Sequence, residues 1–230
     1  MRAILLAAGM GTRLRPMTLK KPKCLMEINK QPLLHIWINK LQSIGIKDVL
    51  INTHYLADQV AASIEKFKDS LNISIIYEKE LLGTAGTLIN NLDFCTEDTI
   101  LIHADNAMEE DLSQFCHEHI HRPNNCLMTM LLFETDKPKK CGIVKINKDN
   151  VLIDFKEKPN ENIGNLANAA IYIISKKMIK DIKTNIPLAI DFSLDVIPSY
   201  INQIYTYKTN NKYIDIGSYD QYIEAQNFKL

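Results

Sequence analysis

Arg2-Ala3-Ile4-Leu5-Leu6-Ala7-Ala8-Gly9-Met10-Gly11 is the stretch whose reading decides the fold. An unbroken apolar run that does not alternate, ending in a Gly-x-Gly turn, is how a strand buried in a parallel sheet breaks into a loop. Outward from it, Leu33, Leu34, Trp37, Ile38 and Leu41 recur with a helical period over 33–44. Residues 47–52 then read as a strand, 56–67 as a helix, 73–77 as a strand, 84–92 as a helix, and 99–103 as a strand ending at Asp105. This β-α-β-α-β-α-β order predicts an α/β fold, Rossmann-like, with a mostly parallel central sheet and helices on both faces. Right-handed crossovers leave few topologies for it.

The second half is less regular. Residues 126–133, 142–146, 151–156 and 169–174 read as strands, with a hairpin through Asp149-Asn150. Residues 192–201 read as a helix, 204–209 and 213–216 as strands that close the sheet, and 219–227 as a terminal helix. No repeat, low-complexity tract or Pro/Gly-rich linker interrupts the chain, so 1–230 reads as a single domain.

Composition narrows the function. Lys+Arg and Asp+Glu both number 27, giving zero formal net charge. A broad basic surface for nucleic acid is not expected, and no aromatic-basic motif accompanies the charges. No apolar stretch approaches the roughly 20 residues of a membrane span, and the apolar start is too short for a secretory leader. A cytoplasmic location is the expectation, with no membrane partner. The five cysteines are odd in number, dispersed and without a C-x-x-C pair. That argues against a disulfide framework or zinc site.

Gly9 and Gly11 let the backbone approach a ligand and turn its N–H groups towards phosphate oxygens. The turn is not the dinucleotide fingerprint, since Leu14 replaces its third glycine, and it is not a P-loop. A glycine turn after a strand is common in itself. What narrows it is Arg13 in the turn and Lys23 in Lys21-Pro22-Lys23. A solvated basic loop accounts for Lys20 and Lys21, but not for the combination of turn, arginine and Pro-Lys. His117-Glu118-His119-Ile120-His121 puts His117 and His121 on one face if helical, a potential transition-metal pair. No third ligand is apparent there, and a polar helix end is the simpler reading.

With these motifs the sequence resembles the sugar-1-phosphate nucleotidylyltransferases, whose signature runs G-x-G-[ST]-R-[LM]-x-P…K-P-K. The likeness continues in order through Leu82-Gly83-Thr84-Ala85-Gly86, His103-Ala104-Asp105-Asn106, Cys141-Gly142-Ile143-Val144, Glu157-Lys158-Pro159, Asn168-Ala169-Ala170 and Tyr213-Ile214-Asp215-Ile216-Gly217-Ser218. The resemblance implies a nucleotidyltransferase fold of the GT-A-like kind. It implies that 1–112 serves as the nucleotide-binding half and 113–230 as the sugar-phosphate-binding half. On this reading no C-terminal β-helix of the kind many relatives carry is expected. By resemblance Leu6, Ala8, Gly9, Gly11, Thr12, Arg13, Lys23, Gly83, Thr84 and Ala85 bind the nucleotide. Arg13, Lys23 and Asp105 are the catalytic group, and Asp105 with Asp215 holds Mg2+. Asn106, Gly142, Glu157, Lys158 and Asn168 face the sugar phosphate.

The implied reaction joins a nucleoside triphosphate to a sugar 1-phosphate. Two anions must be brought together, so positioning and positive charge carry most of the catalysis. Taken alone, an aspartate at a strand end is more often a turn or cap residue. Two of them at converging strand ends suit an octahedral magnesium ion that keeps waters. Gly83-Thr84-Ala85-Gly86 most resembles the guanylyltransferase branch, pointing to GTP and mannose 1-phosphate, with a heptose 1-phosphate close behind. Cytidylyl or uridylyl transfer to another phosphorylated acceptor stays open, as do a catalytically silent nucleotide-binding subunit and a homodimer. Three departures bear on the pocket: His103-Ala104 stands before the metal aspartate, Tyr213 replaces a tryptophan, and Ala170 replaces a glycine.

Overall fold

The opening strand forms because Ala3, Ile4 and Leu5 have no use for water: all three are fully buried. The computed structural model describes Met1–Leu230. In chain order it runs β1 (Arg2–Leu6), β2 (Glu27–Ile28), β3 (Gln31–Pro32), α1 (Leu33–Ser43), β4 (Asp48–Thr53), α2 (Ala57–Ile64), β5 (Asn72–Tyr77) and α3 (Gly83–Asn90). Then follow β6 (Thr99–His103), β7 (Asn106–Met108), α4 (Ser113–Ile120), β8 (Met128–Glu134), β9 (Gly142–Ile146) and β10 (Leu152–Glu157). The chain ends with β11 (Leu166–Ile174), α5 (Lys176–Asn185), β12 (Ile204–Lys208), β13 (Tyr213–Asp215) and α6 (Tyr219–Ala225).

The chain folds as two compact units, each discontinuous in sequence. The first comprises Met1–Leu81, Ile102–Leu112 and Asn211–Leu230; the second comprises Leu82–Leu101 and Ser113–Asn210. In the first, β1 pairs with β4 and β4 with β5, both in parallel. The apolar stripe of α1 is buried at Leu33, Leu34, Trp37, Ile38 and Leu41, as its period predicts. In the second, β8 pairs antiparallel with β11 and parallel with β12, while β9 pairs antiparallel with β10 and β11. The α/β class therefore holds, with parallel pairing concentrated in the first unit. No helix is long and apolar enough to cross a membrane.

Three elements differ from the sequence expectation. The stretch 213–216 does not close the main sheet: β13 pairs antiparallel with β7 in a separate two-stranded ribbon, Asp215 opposite Asn106. The stretch 192–201 is not one regular helix. It is a wide π-turn, Phe192–Val196, followed by a 3-10 turn, Ile197–Tyr200. Pro198 has no N–H to continue an α-helical ladder, and Asp191 spends its carboxylate capping Ser193 and Leu194. Finally, 56–67 is helical only to Ile64 and tightens into a 3-10 turn over Glu65–Phe67.

Candidate active site

The glycine turn is built by what surrounds it. Leu6 O accepts the Ala104 N–H at 3.0 Å, and the Ala7 N–H donates to Asn52 Oδ1 at 2.7 Å, so the end of β1 is pinned from two sides. Gly11 lies in the left-handed region at φ 61, and a Cβ there would come within 2.9 Å of the Thr18 methyl and 3.1 Å of Lys23 Cβ. Thr18 Oγ1 donates to Gly11 O at 2.7 Å. Gly11 thus lets the turn close directly over Lys23. A Cβ at Gly9 would meet nothing, so its glycine leaves open room above the backbone. Thr12–Leu14 forms a 3-10 turn in which Leu14 is buried and Arg13 exposed.

Lys23 is 6% exposed, and its ammonium donates to Asp105 Oδ2 at 2.5 Å and lies 3.5 Å from Asp215 Oδ1. The β7–β13 ribbon explains the convergence, because it sets Asn106 opposite Asp215, and the Ile216 N–H bonds Asp105 O. Arg13 lies beside the same ribbon: a Cβ at Gly217 would stand 3.0 Å from its Nη1. The first unit therefore brings together Arg13, Lys23, Asp105 and Asp215, residues from three separate motifs.

Charge within this group is unevenly shared. Burial works against the Lys23 ammonium, but the two carboxylates outweigh it and hold its pKa above the ordinary value. Burial likewise opposes the Asp105 carboxylate, yet Lys23 and His103 keep its pKa below the usual range. Asp215 goes the other way: burial and the neighbouring Asp105 charge raise it, despite Lys23 and Arg13. One ammonium thus satisfies Asp105 and leaves Asp215 short of positive charge. The residues fit a divalent ion by their geometry, because the Asp105 and Asp215 carboxylates lie 2.5 and 3.5 Å from one cationic position. Magnesium commonly takes one or two carboxylates and completes its shell with water and phosphate oxygens.

Asn106, expected at the sugar phosphate, is 2% exposed, and its backbone carbonyl accepts the Trp37 indole N–H at 2.8 Å. Two residues were passed over in the sequence. Asn52 Nδ2 donates to Glu78 Oε1 at 2.9 Å, and Glu78 is 5% exposed. Their signal was a polar residue at the end of an otherwise apolar strand, next to the turn it supports.

The second unit holds the remaining candidates. Gly142 lies opposite Glu157 in the β9–β10 ladder, where a Cβ would strike Glu157 Oε2 and the Phe155 ring. Lys158 has φ 46, donates its N–H to Cys141 O at 3.0 Å, and places Nζ 3.3 Å from Glu157 Oε1. Asn168 is half-buried where the β11–β8 register slips. Gly83 has φ 78, and a Cβ there would collide with the Ile190 carbonyl. Ile190 O also accepts the Ala85 and Gly86 N–H groups, at 2.9 and 3.3 Å, and Thr84 Oγ1 accepts the Phe192 N–H. Gly83 thus serves close packing against Ile190, and two of the turn's amides are already bonded. The rings of His117 and His121 lie 4.1 Å apart, and His121 Nδ1 is bonded to His117 O.

The family model for nucleotidyl transferase matches residues 2–230. The chain belongs to the nucleotidyl transferase family. Among curated members it is 28% identical over 235 residues to the mannose-1-phosphate guanyltransferase of Schizosaccharomyces pombe, covering 97% of this chain and 62% of that protein. It is 30% identical over 223 residues to the mannose-1-phosphate guanylyltransferase catalytic subunit beta of Drosophila pseudoobscura, covering 94% of this chain and 59% of that one. The chain spans about six-tenths of the length of these relatives. Among solved structures, HddC from Yersinia pseudotuberculosis complexed with GMP-PN superposes with a TM-score of 0.78 at 27% identity, covering 98% of this chain and 97% of that one. A Bacillus anthracis structure with bound sucrose reaches a TM-score of 0.87 at 22% identity over 100% of this chain and 96% of its own, a likeness of fold.

Proposed function

We propose that this nucleotidyl transferase joins a nucleoside triphosphate to a sugar 1-phosphate, releasing pyrophosphate. The observation that carries the reading is the meeting of Arg13, Lys23, Asp105 and Asp215 around one cationic position. An oxygen of the sugar phosphate attacks the α-phosphorus while its bond to the β-phosphate oxygen breaks. Lys23, kept charged by its carboxylate partners, faces the α-phosphate, and the exposed Arg13 guanidinium faces the departing pyrophosphate. Asp105 and Asp215 would hold magnesium, which when bound supplies charge to the phosphate oxygens. Both aspartates are present with Lys23 and Arg13, which speaks against a catalytically silent subunit.

GTP and mannose 1-phosphate are the first substrates to test. The guanyltransferase names of the curated relatives and the GMP-PN bound to HddC support the base. Glu157, Lys158 and Asn168 form a separate part of the proposal, as contacts for the sugar phosphate. The test is pyrophosphate release across nucleoside triphosphates and sugar 1-phosphates in the presence of magnesium. Release dependent on both substrates supports the reaction, and none with any pair overturns it. CTP or UTP ahead of GTP overturns the base while leaving the transfer intact.

A further inference from the structure

We infer that Tyr172 is a positioning residue for the sugar site, holding in place the carboxamide of Asn168, whose oxygen end the Ala170 N–H sets. The inference rests on the reading of Asn168 as a contact for the sugar phosphate, and takes a hydroxyl of its sugar as the group touched. A carboxamide has an oxygen and a nitrogen of nearly the same shape, and only its hydrogen bonds decide which points where.

Both ends are decided here. Asn168 Oδ1 accepts the Ala170 N–H at 2.9 Å, and only an oxygen can do so. Ala170 itself sits in the left-handed region at φ 53. Asn168 Nδ2 donates to Tyr172 Oη at 2.7 Å. Tyr172 is fully buried, and its ring packs on Phe192 with centroids 4.5 Å apart. Burial holds the phenol well above its ordinary pKa, so it stays neutral through any working range. The Phe192 N–H is in turn held by Thr84 Oγ1 at 2.7 Å.

After these bonds the amide keeps one N–H and one lone pair on Oδ1. One remaining donor and one remaining acceptor on the same held amide match a hydroxyl, which gives one hydrogen bond and takes another. A free amide would present either arrangement; the locked one presents a single pattern to a sugar.

The test is Tyr172→Phe, which keeps the ring and removes the oxygen. The apparent KM for sugar 1-phosphate should rise about tenfold, the scale of one hydrogen bond, with the nucleotide KM unchanged. Asn168→Ala should raise the sugar KM by itself, and adding Tyr172→Phe to it should change nothing further. An unchanged sugar KM in Tyr172→Phe beside a raised one in Asn168→Ala overturns the inference, as does an equal effect in both backgrounds. An unchanged KM in Asn168→Ala overturns the sugar-site reading instead. The carboxamide is then followed directly: its NH2 protons, seen by 15N NMR, should exchange faster with solvent in Tyr172→Phe. Identical exchange in both proteins overturns the positioning role whatever the substrate. Tyr172→Met, which fills the space without an oxygen, carries the same expectations if the phenylalanine variant does not fold.

Discussion

At the scale of the residue, Lys23 serves two carboxylates unequally, and the inequality is testable. Asp105→Asn removes the partner at 2.5 Å, whereas Asp215→Asn removes the one at 3.5 Å. Each should lower kcat by about 10²–10³-fold, as loss of one electrostatic contact to a developing charge does. Only Asp105→Asn should also destabilise noticeably, by about 1–3 kcal/mol, because it strips the close partner of a nearly buried ammonium. Parallel turnover and thermal melts check both halves, and equal melting temperatures would contradict the asymmetry. Gly83, like Gly11 and unlike Gly9, sits at positive φ with no room for a Cβ. Gly83→Ala should cost stability by at least about 1–2 kcal/mol, since an L-residue is strained at that φ. The collision with Ile190 adds to it. Chemical denaturation measures this without any substrate; a neutral result would mean that the turn moves freely. By resemblance Gly83 is a nucleotide contact, and no sequence pattern could announce that residue 190 would come to rest against it.

Among the elements, α4 shows how a polar helix can carry pH dependence. His119 on α4 is 3% exposed, its Nδ1 bonded to Thr129 Oγ1 and its Nε2 3.2 Å from Asp98. Burial lowers its pKa below 6.5 despite Asp98, and His35 is lowered in the same way, with Lys66 adding to the effect. The unfolded chain then takes up protons before the folded one, so stability is full above about pH 6.5 and falls as pH drops below it. Asp98, held low by His119, adds a second loss of the same sign at pH values below the carboxylate range. The melting temperature should therefore decline from pH 7.5 to pH 5.5, and more shallowly in His119→Gln. Parallel slopes would rule His119 out. This element and α5 were hard to read. In α5 Met178, Ile179 and Ile182 are buried at helical spacing among lysines, a short period that the sequence reading passed over. By contrast β6 and β9 were read to the residue, because bounded apolar runs have little else to become.

For the whole molecule, the α/β class was legible because alternating strand and helix patterns leave few arrangements. The candidate site was legible only as separate motifs. Which of them meet is decided by long-range pairing, above all the β7–β13 ribbon, and local pattern is silent about that. The proposal's most exposed expectation also concerns the molecule as a whole: kcat/KM for GTP should exceed that for CTP, UTP and dTTP by orders of magnitude at one fixed sugar phosphate. Comparable values across the bases would remove the guanylyl assignment. The discontinuous first unit has a consequence in time. Lys23 and Asp105 leave the ribosome well before Asp215, which belongs to the last stretch of the same unit. At about 5–20 residues per second, that interval is on the order of ten seconds. Throughout it the nascent chain has the lysine and only one of the two carboxylates, so the charged group is completed only once Asp215 has been made.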